Sequence, residues 1–341
     1  NSSCLDAATD LVGKGCSIIF ANSYGHQTFM AQAAEQFPDV TFVSMTGDFA
    51  AVSGIANLKN AFTGVYQSRY VSGVVAGMKV KELVESGTLT ADVQPNSFDD
   101  QGRVKIGYVG AYNYAEVVSG YTAFFLGIRS VYPNVVMEVN YTNSWFDIDK
   151  EAAAAEALVA NGCVIIGQHA DSTGAPAAVE KLLADGKICY SVGYNIDMLP
   201  TAPNAALTSP CNHWDVYYKY AMNAAMKGEE IKTDWAEGYE TGAVGITELG
   251  ASCAAGTAEK VAEVEAALKN GTLKVFDTST FTVNGAKLES YPVDLSYIDF
   301  STMTTIYQGE TVEPVVNGEF EESTFRSAPY FTVRIDDIIE K

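Results

Sequence analysis

Basic residues are scarce in this chain, and what is missing narrows its function before any motif is read. There are 21 Lys and Arg against 42 Asp and Glu, a formal net charge of −21, and the pI is near 4.4. A face that binds nucleic acid needs clustered Lys and Arg to neutralise phosphates, so no nucleic-acid partner is expected, and polyanionic ligands would be repelled. Long hydrophobic runs are also missing. Although 48% of the residues are apolar, no stretch approaches the roughly 18 that a membrane span needs. The start, Asn1-Ser2-Ser3-Cys4, has no basic and apolar leader, so any targeting segment is expected to have been removed or left out. No G-x-S-x-G, H-E-x-x-H, P-loop or G-x-G-x-x-G occurs, so an enzyme is not expected, and neither is a cofactor. The six cysteines, at 4, 16, 163, 189, 211 and 253, show no C-x-x-C and no metal spacing. Cys16, Cys163 and Cys189 lie in predicted strands and read as small core residues. Cys211 and Cys253 could pair if the protein is extracellular, a pairing that spacing alone does not decide.

What is present is a stretch used twice. Leu11-Val12-Gly13-Lys14-Gly15-Cys16-Ser17-Ile18-Ile19 returns as Leu158-Val159-Ala160-Asn161-Gly162-Cys163-Val164-Ile165-Ile166, identical at six of nine positions and 147 residues on. Each copy reads as a helix end, a Gly at its C-cap and a buried strand. Each is followed by a loop, an Ala-rich helix and a second strand, Val40 to Met45 and Ile188 to Val192. Register held through about 35 residues marks an internal repeat. With 341 residues the chain suits two α/β domains of similar topology.

The second copy carries more ahead of this shared pattern. A strand at Lys105 to Gly110, a helix at Gly120 to Val131 and a strand at Val135 to Tyr141 have no counterpart before the first copy. Either the chain begins inside a longer protein and the first lobe lacks its opening βαβ unit, which is the expectation, or the two lobes are not equivalent. Residues 1–104 are assigned to lobe 1, with roughly 209–235 returning to it. Residues 105–208 are assigned to lobe 2, with part of 236–341, including a β-rich C-terminal extension. The polar stretch from Ser86 to Arg103 reads as the surface loop separating them. Elsewhere the pattern predicts a strand at Ala61 to Tyr66, a helix over Ser68 to Met78, and a short strand at Ala205 to Ser209 crossing back to lobe 1. An acidic helix is predicted at Ala258 to Lys269, and a hairpin at Phe281 to Leu288 turning at Asn284-Gly285. The small residues Ser72, Gly73, Ala76 and Gly77 suit tight helix packing.

Ligands of open α/β sheets sit at the carboxyl ends of strands. The candidates there are Asn22, Tyr24 and Thr46 in lobe 1, and Tyr112, Trp145, Phe146, His169, Asp171, Tyr194 and Asp197 in lobe 2. Flat apolar faces with a few directed polar groups suit a small, ring-bearing, polyhydroxylated ligand. Plainer roles stay open. Trp145 could cap a strand edge, His169 could be a satisfied polar side chain, and Asp171 and Asp197 could be helix N-caps. No metal is expected at His169, because no second His or Cys stands at a coordinating spacing.

Four segments carry a resemblance: Ser68-Arg69-Tyr70-Val71-Ser72-Gly73-Val74-Val75-Ala76-Gly77, Gly193-Tyr194-Asn195-Ile196-Asp197-Met198, the Trp214-to-Tyr218 stretch, and Phe325-Arg326-Ser327-Ala328-Pro329. Together they resemble the basic membrane protein family, the substrate-binding lipoproteins of ABC transporters related to the purine nucleoside receptor. The resemblance implies a type I periplasmic-binding-protein fold, two Rossmann-like lobes with parallel sheets joined by a multi-strand hinge. It further implies a nucleoside, a purine for preference, in the interlobe cleft, ABC permease subunits as partners, and a lipid anchor upstream of this chain on the outer face of the cell membrane or in the periplasm. A receptor for a sugar or another small solute on the same fold is the alternative. On the same grounds Asp197 matches the carboxylate that takes ribose hydroxyls, and Trp145 or Phe146 the aromatic that stacks on the base. Tyr194 and the His169-to-Gly174 loop border the ligand. Thr46 stands where an acidic residue that contacts the base is expected, and the Asp/Asn/Phe motif that follows the first strand in members has no match.

Overall fold

The computed structural model describes residues 2–299 and 304–341. In chain order the elements begin α1 (Ser2–Gly13), β1 (Ile18–Asn22), α2 (Gln27–Gln36), β2 (Thr41–Met45), α3 (Phe49–Ser53) and β3 (Leu58–Thr63). Next come α4 (Val65–Glu85), β4 (Val104–Gly110), α5 (Ala115–Val131), β5 (Val135–Tyr141), α6 (Ile148–Ala160), β6 (Ile165–Gln168), α7 (Gly174–Ala184) and β7 (Tyr190–Val192). Then follow β8 (Ala206–Thr208), β9 (Pro210–Asn212), α8 (Trp214–Lys227), β10 (Asp234–Glu237), β11 (Val244–Ile246) and α9 (Thr257–Lys269). Short strands and a terminal strand, Ile338–Glu340, complete the series. The residues form two compact units. The first is Asn1–Gly64, His213–Ala243 and Glu289–Tyr330; the second is Val65–Asn212, Val244–Leu288 and Phe331–Lys341.

The first unit is built on a parallel sheet in the order β1-β2-β3-β10. Alternation along β2 gives the sheet two buried faces. Phe42 joins Ile19 and Leu58 in a core with Met30 and Ala33 of α2 and Ala8 of α1. Val43 and Met45 point the other way, into a core with Ala61, Trp235, and Tyr217 and Ala221 of α8.

The second unit carries a six-stranded parallel sheet, in the order terminal strand-β5-β4-β6-β7-β8. On one face Val109, Ile166 and Cys163 pack with Ala155 and Leu158 of α6 and Ala175 and Val179 of α7. The internal repeat is visible as β1 and β6, but its pairing slides. Ile18 opposes Thr41, whereas Ile165 opposes Tyr190, two residues beyond the position that the sequence offset gives. A slip of two keeps every side chain on its own face, so the shared pattern tolerates it.

The second unit is larger than the expected lobe 2. Helix α4 and residues 86–103 belong to it, and the boundary expected at 104 falls inside it. Packing explains why, because α4 lies against α5 at glycines. A Cβ on Gly73 would stand 2.1 Å from the Phe124 carbonyl oxygen, and one on Gly127 2.1 Å from that of Tyr70. The strand expected at Ala61 to Tyr66 ends at Thr63, and α4 begins at Val65. The short strand β8 does not cross to the first unit but pairs with β7, and the crossing occurs at Asn212–His213. Cys211 and Cys253 are free thiols, with the Cys253 Sγ on the Leu207 carbonyl. The hairpin turn forms as expected, with Asn284 and Gly285 at φ 51° and 77° between the bridged Val283 and Ala286.

Gly127→Ala should therefore destabilise the chain by about 1–3 kcal/mol or more through overpacking. Gly13→Ala in α1, where an added Cβ meets nothing within 4 Å, should raise stability by about 0.4–1 kcal/mol. Urea titrations of both variants check the contrast.

Candidate functional site

Four consecutive strand ends of the second unit bring rings together. Tyr112 and Tyr114 follow β4 and stack with centroids 5.3 Å apart. Trp145, from the loop after β5, lies 5.5 Å from Tyr112 and 6.3 Å from Tyr114. His169, directly after β6, is 6.2 Å from Trp145 and 5.1 Å from Tyr194, which follows β7. Parallel strands with buried faces must end in loops at one edge of the sheet, and here those loops form a continuous wall of rings.

Behind the wall is a charge. Arg69 of α4 is 1% exposed. Its Nη1 donates to the Tyr108 hydroxyl at 2.8 Å and to the Gln168 carbonyl at 2.5 Å, and its guanidinium carbon sits 3.8 Å from the Tyr194 ring centroid. Nε and Nη2 are buried without a hydrogen-bond partner. This end of the unit therefore holds a buried guanidinium charge. Gly120 of α5 provides the room, since a Cβ there would come within 2.8 Å of the His169 ring and 3.5 Å of Arg69 Nε.

His169 joins this charge to a carboxyl. Its Nδ1 lies 3.4 Å from the Tyr108 hydroxyl and its Nε2 3.3 Å from Glu116 Oε1. Burial, then the Arg69 charge, holds the imidazole pKa well below its ordinary value, so His169 is neutral near pH 7 and the contact with Glu116 is a hydrogen bond. Burial pushes the Glu116 carboxyl up to about 7, against the pull of Arg69. Burial also lifts the Tyr108 phenol to about 12.

A polar corner borders the rings. Asp171 N–H donates to the Trp145 carbonyl at 2.7 Å. Asn195, at φ 62°, donates its amide to Asp171 Oδ1 at 3.4 Å and accepts from Asn212 Nδ2 at 2.8 Å. Asn212 also hydrogen-bonds with the Tyr194 side chain. Desolvation by the surrounding loops, then the nearby Glu116, pushes Asp171 up to about 6, although the residue stays in contact with solvent.

Of the residues expected at the site, Tyr112, Trp145, His169, Asp171 and Tyr194 are thus brought together. Phe146 is 63% exposed and has no ring partner among the described contacts. Asp197 caps no helix. It is exposed, and its Oδ1 accepts from Leu199 N–H at 2.9 Å in a local turn. Nor does Asp171 cap α7, whose N-cap is Thr173. Asn22, Tyr24 and Thr46 lie in the first unit, at the carboxyl ends of β1 and β2. Asn22 is exposed, and Tyr24 and Thr46 are half-buried. The Tyr24 hydroxyl donates to Asp48 Oδ1 at 3.0 Å, and Asp48 Oδ2 pairs with Arg326 at 3.4 Å. Burial, then the Asp48 charge, raises the Tyr24 pKa. Sequence reasoning missed Arg69, Glu116, Tyr114, Asn195, Asn212 and Asp48 as members of these clusters. The signal available for Arg69 was a cation beside the small residues Ser68, Ser72 and Gly73 of α4.

Comparison with known proteins gives matches in sequence and in fold. A family model described as Bmp, ABC transporter substrate-binding protein PnrA-like, matches residues 1–279. A purine-binding protein of Brucella abortus is 34% identical over 214 residues, covering 63% of this chain and 53% of that protein. A putative ABC transporter glucose-binding protein of Haloferax volcanii is 31% identical over 265 residues, covering 77% of this chain and 60% of that protein. The chain thus spans little more than half the length of these relatives. Among solved structures, an ABC transporter solute-binding protein from Aeropyrum pernix has a TM-score of 0.63 at 14% identity, over 80% of this chain and 81% of that one. A transcriptional activator of the comK gene from Bacillus halodurans has 0.61 at 18% identity, over 79% and 83%. The type I periplasmic-binding-protein fold expected from the sequence is therefore borne out.

The Glu116 geometry gives a pH dependence of known sign. With its carboxyl raised from 4.5 to about 7, the folded chain holds a proton that the unfolded chain has released. Its contribution to stability is full below the unfolded value and is lost as pH rises through the folded one. His169 works oppositely, because its lowered pKa makes the unfolded chain the better proton acceptor below about pH 6.5. Glu116→Gln, which stays uncharged, should gain stability relative to the parent as pH rises from about 5 to about 8. Thermal melts of the two proteins across that range check it.

Proposed function

Because the chain belongs to the Bmp family of PnrA-like ABC transporter substrate-binding proteins, we propose that it captures a nucleoside, a purine for preference, for import through an ABC permease. It would act outside the cytoplasm and be tethered by a lipid anchor upstream of this chain. The observation that carries the reading is the ring wall of Tyr112, Tyr114, Trp145, His169 and Tyr194. Tyr112, Tyr114 and Trp145 are the rings of this wall that reach solvent, and such faces hold a base by stacking, which contributes about 1–3 kcal/mol per base. The corner of Asp171, Asn195 and Asn212 offers acceptors and donors for hydroxyls beside that face. Asp197, with one carboxylate oxygen outside its local turn, is a further candidate for the ribose, and Asn22, Tyr24 and Thr46 are kept as candidates from the first unit. The likeness to a protein named purine-binding supports the choice of ligand.

A sugar is the second reading. The relative named as glucose-binding favours it, as does the combination of a Trp145 platform with the amide-and-carboxylate corner. Catalysis has no support in the family or the fold, which are those of solute-binding proteins.

A calorimetric panel of nucleosides, bases and sugars separates the readings. A nucleoside should bind, and Trp145→Ala should weaken it by about 1–3 kcal/mol. Asp197→Ala should cost about 1.5–3 kcal/mol, the scale of a charged hydrogen bond. Binding of a sugar with no nucleoside response would overturn the ligand assignment and leave the family in place.

A further inference from the structure

This inference rests on the nucleoside reading and deepens it. Glu116 stands in the first turn of α5, just after the Tyr112 and Tyr114 pair, and its side chain is 21% exposed. Its Oε1 is held by His169, and His169 is fully buried against Trp145 and Tyr194. The carboxyl therefore lies inside the ring wall with one side open. Arg69, behind the wall, has two unpartnered buried nitrogens, and among the described residues no carboxylate lies within ion-pair distance of it. A buried cation without a paired anion is costly, and it favours negative charge placed nearby. Its field reaches the carboxyls of Glu116 and Asp171, and of the two Glu116 is the one held by His169.

We propose that Glu116 reads the edge of the bound base, its carboxylate accepting two adjacent N–H donors from a ring held by the aromatic wall. The chemical class is a guanine-type base, which presents a ring N–H beside an exocyclic amino group. An adenine-type base presents a ring acceptor beside its amino group and sets a lone pair against the carboxylate. Two N–H donors replace the water that burial has taken from the carboxylate, and the Arg69 charge stabilises the ionised form that accepts them. An unsatisfied or mismatched edge is penalised more strongly than a missing contact, so such a group discriminates as well as binds.

The state of Glu116 then sets affinity. Facing it are Arg69 from α4, Tyr108 from β4, His169 and Asp171 from the segment after β6, and Tyr194 from the segment after β7. Burial and the Arg69 charge hold the His169 pKa well below its ordinary value, and both tyrosines keep their protons between pH 6 and 8. Asp171 titrates near 6, and the Gln variant at 116 separates its effect from that of Glu116.

The test is calorimetric titration of guanosine and adenosine into the parent chain and Glu116→Gln, at about pH 6 and about pH 8. With a midpoint about 7, ionisation of Glu116 should tighten guanosine binding to the parent about tenfold over that interval. Glu116→Gln should bind guanosine at least about tenfold more weakly at the higher pH and lose most of the pH response, while the parent prefers guanosine to adenosine. Equal guanosine affinity in both proteins, a flat parent profile, or a preference for adenosine at the higher pH overturns the assignment and leaves the nucleoside reading intact. Failure of every nucleoside to bind overturns both. Should the variant not fold, the parent's pH profile and its guanosine-to-adenosine ratio decide alone.

Discussion

The second unit depends on where it keeps one guanidinium. Arg69 enters from α4, is tied by Nη1 to the Tyr108 hydroxyl and the Gln168 carbonyl, and lies under the Tyr194 ring. That single side chain touches a helix, two neighbouring strands and the loop after a third. It can sit there only because glycines let α4 and α5 approach at Gly73 and Gly127, and because Gly120 leaves space for His169. The cost of burying the charge is met partly by its two acceptors and the ring face, and two of its nitrogens are left without partners. The Arg69 charge adds to the burial that keeps His169 neutral and opposes the burial that raises the Glu116 pKa.

The two units use one wiring pattern for different ends. In the first unit the groups at the strand ends are turned inward on one another. Gln27 Oε1 accepts the N–H groups of Asp48 and Phe49, Tyr24 donates to Asp48, and Arg326 pairs with it. In the second unit Tyr112, Tyr114 and Trp145 present ring faces over the buried His169 and Tyr194, and the polar groups stand behind or beside them. Repetition of a fold thus does not repeat its chemistry, because the loops carry the site and the repeat does not constrain them.

Much of the architecture was legible because it is written in short-range pattern. The paired segments around Gly15 and Gly162, the strand at 104–110 and the Asn284-Gly285 turn each follow from periodicity or turn chemistry. Assignment of α4 was not legible, since the contacts that place it in the second unit join Gly73 to Phe124 and Gly127 to Tyr70. The rings at 112, 145, 169 and 194 could be picked out as strand-end residues. The groups that tune them could not. Arg69 reads as one cation in a helix until Gln168, 99 residues on, is known to accept from it. Glu116 reads as an ordinary first-turn acid. Its role depends on desolvation, which no local pattern reports. Asp197 shows the converse, a motif residue whose structure gives it an exposed local turn.

In the proposed function the ligand sits on the ring wall of the second unit. Amide hydrogen exchange with and without saturating nucleoside tests it most directly, since binding slows opening where the ligand touches. Added protection is expected at residues 112–118, 145–147, 169–172 and 193–197. Protection confined to other segments, or none under conditions where binding is independently measured, would contradict it.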